Sequence, residues 1–151
     1  MVLTGYDYEL VRMVNDNSYN DYLQERWQER ESFINCEHDV VFWCGAIESL
    51  ERCIEPWCAF GIDNEHIFAD GAPPTLNLMK FTRRFIQKHP GIWNDVIFKK
   101  QTEPSEINKP LWKVNDYWLS RLLAEKGIIC HQHFPPVMNA NPIKESVEIY
   151  I

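Results

Sequence analysis

Lysine is missing from residues 1–70, which carry 15 Asp and Glu against only 4 Arg, a net of −11. Residues 71–151 carry 7 acidic and 11 basic side chains, a net of +4. The overall charge of −7 therefore hides two stretches of opposite sign, and opposite signs attract partners or each other. Glycine is scarce at 6 residues, which argues against a propeller, a β-solenoid or a glycine-loop nucleotide fold. No apolar run approaches the roughly 20 residues of a membrane span, so no membrane partner is expected. The first ten residues hold no basic region followed by a long apolar block, so no secretory signal is expected. G-x-S-x-G, the P-loop, G-x-G-x-x-G and H-E-x-x-H are all absent. The five cysteines (Cys36, Cys44, Cys53, Cys58 and Cys130) are odd in number and match no disulfide framework. Free, mostly buried thiols in a reducing cytoplasm are the expectation.

What is present is a well-furnished globular composition. Hydrophobic residues make up 45% and charged residues 25% of 151, including 6 Trp, 6 Tyr and 8 Phe. That length favours one domain over residues 1–151 with a substantial core. Apolar spacing predicts helices over 7–14, 18–34, 75–88, 92–99 and 111–126, the last closed by Gly127. Residues 39–54 read as a buried helix, with Val40 to Trp43 open to a strand reading. A hairpin is expected near 57–69, and strands near 128–134 and 146–151. Because the strands do not alternate one for one with helices, the fold class is α+β: a helix-rich domain with a small antiparallel sheet.

Five groups of residues invite chemistry. The basic segment 79–100 holds Lys80, Arg83, Arg84, Lys88, Lys99 and Lys100 against Asp95, and on one helix Lys80, Arg84 and Lys88 would recur every four residues. Phosphate of a nucleic acid or an acidic protein surface would suit it. Arg26 and Arg30 fall on one stripe with Trp27, a pairing of residue types enriched at interface hot spots. His131 and His133 would point to one face of a strand, with Cys130, Cys36 and His38 as further N and S donors of the kind Zn²⁺ prefers. Glu48, Glu51 and Glu55 lie three or four apart and read as an acidic helix edge. The thiols could serve as nucleophiles only beside a histidine in space, and buried structural roles are the expectation. The leading expectation is a non-catalytic interaction or assembly protein that meets a protein partner, or copies of itself, through complementary charge. No cofactor is expected on that reading. The alternatives are a zinc-dependent hydrolase at the His/Cys set and a nucleic-acid binder through 79–100.

Overall fold

A computed structural model describes residues 8–14, 17–37, 39–62, 76–103 and 115–139. In chain order the elements are α1 (Ser18–Gln28), β1 (Phe33–Cys36), β2 (Val40–Val41), α2 (Ala46–Arg52), β3 (Trp57–Ile62), β4 (Leu78–Phe81), α3 (Arg83–Lys88), α4 (Ile92–Thr102), α5 (Asn115–Ala124) and β5 (His131–Asn139). The strands form one five-stranded sheet in the order β1-β4-β3-β5-β2. The fold is α+β, as the element pattern predicts. The sheet is mixed: β1–β4, β3–β4 and β2–β5 are antiparallel, while β3 and β5 run parallel, with Cys58 opposite His131 and Phe60 opposite His133. Residues 63–70 and 140–151 lie outside the described residues, and with them the expected second hairpin strand and the expected strand 146–151.

The sheet separates two apolar cores because neighbouring strand residues point to opposite faces. On one face Trp57, Ala59, Met79 and Phe81 meet Leu23 and Trp27 of α1, Phe85 and Ile86 of α3, Trp93 and Val96 of α4, and Leu119 and Leu123 of α5. On the other, Cys58, Phe60, Leu78 and Val137 meet Val40 and the Ala46, Ile47 and Leu50 stripe of α2. Trp27 sits at the centre of the larger core, edge-on to Phe33, Phe81, Phe85 and Trp93 with ring centroids 5.0–6.3 Å away. Its indole N–H donates to the His89 carbonyl at 2.8 Å, tying α1 to the end of α3.

Four predicted helices change. The described part of 7–14 has no regular structure and exposes Leu10 and Val14. The helix expected over 18–34 stops at Gln28, and Arg30 turns the chain with φ 58°. Phe33 and Ile34 then pair with β4, where a β-branched and an aromatic residue gain both ladder bonds and burial. The helix expected over 75–88 is a strand followed by a helix. Thr82 is the junction: its backbone is extended, its hydroxyl accepts from the Phe85 N–H at 3.3 Å, and it donates to the Pro56 carbonyl at 2.9 Å. Between residues 39 and 54, β2 takes Val40–Val41 and α2 begins only after Gly45.

Lys100 joins α4 to its neighbours. It is 3% exposed, and its ammonium donates to Asn115 Oδ1 at 2.6 Å and reaches Asn20 Oδ1 at 3.4 Å. Burial lowers its pKa from 10.5 to about 8, with Asp116 opposing. The unfolded chain keeps this proton up to about 10.5 and the folded chain releases it near 8. The folded state is therefore penalised below pH 8, and the penalty disappears as pH rises to 10.5. Denaturant titrations of wild type and Lys100→Met should show wild type gaining on the variant by up to about 3 kcal/mol between pH 7 and pH 10. Both proteins lose stability together above pH 9, because burial raises Cys36 to about 11 and Cys58 to about 12, so the comparison cancels those thiols. A constant difference across that range would show Lys100 to be uncharged throughout, or solvated.

Candidate metal centre

The final turn of α2 and the first residues of β5 meet on the smaller core's face of the sheet. Alternation along β5 sends His131 and His133 to the side shared with Cys58 and Phe60. Their rings lie 5.0 Å apart, and Phe60 packs against His133 at 5.1 Å. Cys53 closes α2 as its C-cap, with an extended backbone. One ligand atom each from Cys53, His131 and His133 lies within 4.8 Å of the others. Donors around a tetrahedral zinc stand about 3.5 Å apart, so side-chain adjustments of about 1 Å would close the set on an ion.

Two neighbours hold the set in place. Ser49, one helical turn before Cys53, places its hydroxyl 2.9 Å from His133 Nδ1. His133 Nε2 is buried and has no hydrogen-bond partner among the described residues. A ligating histidine is commonly oriented in this way, with one ring nitrogen fixed by a neighbour and the other left for the metal. Burial, then the His131 and Lys80 charges, lower the pKa of His133 and so favour the neutral imidazole a metal needs. Lys80 lies beneath the site on β4. Its ammonium donates to the carbonyls of Leu50 (2.8 Å), Glu51 (3.1 Å) and Cys53 (2.7 Å), at the end of α2 where a helix runs short of backbone donors.

The donors line an open depression of about 760 Å³, together with Trp43, Glu48, Arg52, Ile54 and Glu55. Gly45 shapes its wall. At φ 97° it occupies the left-handed region, and a Cβ there would stand 3.0 Å from the Trp43 ring. The ring is thereby free to lie edge-on to Phe60, at 5.8 Å. The acidic edge is only partly as expected, since α2 ends at Arg52 and Glu55 belongs to the turn beyond.

Of the expected donors, the structure brings His131 and His133 together and leaves Cys36 and Cys130 apart from them. Cys36 is on β1, three strand spacings or about 14 Å from β5. Cys130 adjoins His131 in sequence but is buried in the larger core on the opposite face. Burial also pushes the Cys36 thiol up to about 11 and the Cys130 thiol higher still, away from thiolate. His38 lies outside the described residues. Sequence reasoning missed Cys53 and Ser49. Their one signal is the four-residue spacing that puts both on one helical face, and nothing in it points to β5.

The basic and arginine groups do not each form one outward face. Lys80 is 9% exposed on a strand, and Lys100 and Trp27 are buried, so these three belong to the interior rather than to a docking surface. Arg83 pairs with Glu31 at 3.5 Å, and Lys99 pairs with Glu103. Arg84 and Lys88 are exposed on α3. Arg26 pairs with Glu29 at 2.7 Å and Glu9 at 3.4 Å, while Arg30 lies beyond the helix end. The charge split of the sequence is thus consumed in part by contacts between the two halves, Arg83 with Glu31 and Lys80 with the end of α2.

No protein-family model matches the chain, and comparison with curated proteins and with solved structures finds no match. Among the described residues no helix is long and apolar enough to cross a membrane.

Proposed function

We propose that this protein binds a zinc-type divalent cation through Cys53, His131 and His133. The observation that carries the reading is the convergence within 4.8 Å of one sulfur and two imidazole donors from segments 78 positions apart in the chain. One thiolate and two imidazoles suit Zn²⁺, Co²⁺ or Cu²⁺ and disfavour Mg²⁺ and Ca²⁺, which take oxygen donors. Three protein donors facing an open depression match the arrangement of catalytic rather than structural zinc, in which a fourth position stays with water or substrate. A metal there would lower the pKa of its bound water and supply a hydroxide for hydrolysis at neutral pH. Ser49 would fix the ring of His133, and Lys80 would hold the backbone of Cys53.

Titration of the purified protein with Co²⁺ tests this reading. One equivalent should bind, giving a thiolate-to-cobalt charge-transfer band in the near ultraviolet, and Zn²⁺ should displace it. Saturation at 100 times Kd should stabilise the fold by about 2.7 kcal/mol. Cys53→Ser should remove the charge-transfer band, and His133→Ala should weaken binding at least about 100-fold, since losing even an outer-shell partner costs about 10- to 100-fold. Cys36→Ser and Cys130→Ser should leave the band in place. Absence of a saturable band, or a band that survives Cys53→Ser, would overturn the assignment.

A further inference from the structure

The three donors leave one tetrahedral position, and among the described residues that line the depression the further ligand candidates are the carboxylates of Glu48 and Glu55. Ser49 is already engaged with His133, and Cys58, although it faces the same side, is fully buried. The depression opens onto that position. Arg52 lines it and makes no ion pair among the described residues, so its guanidinium is available to a second anion beside the metal. Ile54 is 93% exposed and Trp43 is 38% exposed at the same rim. An apolar group of a visitor laid between Ile54 and Trp43 would take both from water.

Resting on the metal reading above, we propose that the site binds a small organic carboxylate bearing an apolar group. Its carboxylate takes the open metal position and Arg52, and its apolar arm lies between Trp43 and Ile54. A thiolate leaves a bound divalent ion with one net positive charge, and a monoanion neutralises it without a further counter-ion. Glu48 and Glu55 line the same depression and set the competing arrangement, in which a protein carboxylate completes the coordination and shuts the visitor out.

The Co²⁺-loaded protein tests the proposal, using benzoate and acetate as probes and the visible ligand-field bands as readout. Both acids should shift the bands saturably, benzoate binding about 10-fold tighter, the factor expected for burying one apolar arm. Arg52→Ala should weaken both acids about 10-fold or more, as loss of a charge-assisted pair does. Ile54→Ser should remove the preference for benzoate and leave acetate binding unchanged. Tetrahedral cobalt bands that ignore both acids up to about 50 mM would overturn the proposal and leave the metal reading intact. If the same bands then respond to acetate once Glu48 or Glu55 is replaced by Gln, a protein carboxylate is the fourth ligand. If no cobalt binds at all, the metal reading itself has failed.

Discussion

Trp27→Ala is expected to lower the free energy of unfolding by about 4 kcal/mol, a large part of the stability of a domain this size. The indole is 3% exposed and stands edge-on to four other rings, each such pair adding to its area burial. Truncation leaves a void that α1, α3 and the β1–β4 pair cannot all close upon, because each is fixed to the sheet by other contacts. It also removes the 2.8 Å bond to the His89 carbonyl, which keeps the longer 3.3 Å bond from the Ile92 N–H. Trp27→Phe, which refills most of the space, should cost about half as much. Urea unfolding followed by far-ultraviolet circular dichroism measures both. An exposed interface tryptophan would instead give a change within about 0.5 kcal/mol, and such a result would remove Trp27 from the core.

Lys80 should show the second large effect. Its ammonium donates to three carbonyls at the end of α2, and withdrawing a buried charged donor takes a hydrogen bond from each, although Leu50 keeps the one from the Cys53 N–H. Lys80→Met keeps most of the stem and removes the charge, and about 3 kcal/mol of stability should go with it. Lys80→Glu should be worse, since a carboxylate would face three oxygens. Arg84→Glu and Lys88→Glu, on the exposed side of α3, should each stay within about 0.5 kcal/mol of wild type. Because Lys80 also fixes the Cys53 carbonyl, Lys80→Met should weaken Co²⁺ binding, whereas the two α3 variants should not. Equal stability for Lys80→Met and Arg84→Glu would return Lys80 to the surface.

Much of the local structure was legible. The 92–99 pattern became α4, the strand at 57–62 became β3, and Gly127 adopts the positive φ expected after α5. The Ile128 N–H reaches back to the Leu123 carbonyl at 2.9 Å, the bond that closes a Schellman turn. The errors at 75–88 and 18–34 share one cause. Leu78-Met79-Lys80-Phe81 fits a helical wheel because Thr82 and the true helix α3 follow directly, so period analysis averaged a strand and a helix together. The basic stripe Lys80, Arg84, Lys88 existed only on that joined helix. The β1 segment failed in the same way, since Phe33 and Ile34 extend the spacing of α1 until Arg30 reverses the chain.

The candidate site was half legible. His131-x-His133 carries its own meaning, because a strand must place both rings on one face whatever surrounds it. The third donor carries none in sequence, since Cys53 is one thiol among five.

The amino-acid order alone determined the α+β class, the presence of a large aromatic core and the same-face pairing of the two histidines. These depend on periodicities of a few residues, which are local properties of the backbone. Tertiary structure decided which thiol joins the histidines, which lysines leave the surface, and that β3 and β5 run parallel. Those outcomes depend on the stacking order β1-β4-β3-β5-β2, and strand order is fixed by which faces can be buried together rather than by any neighbouring residues in the chain.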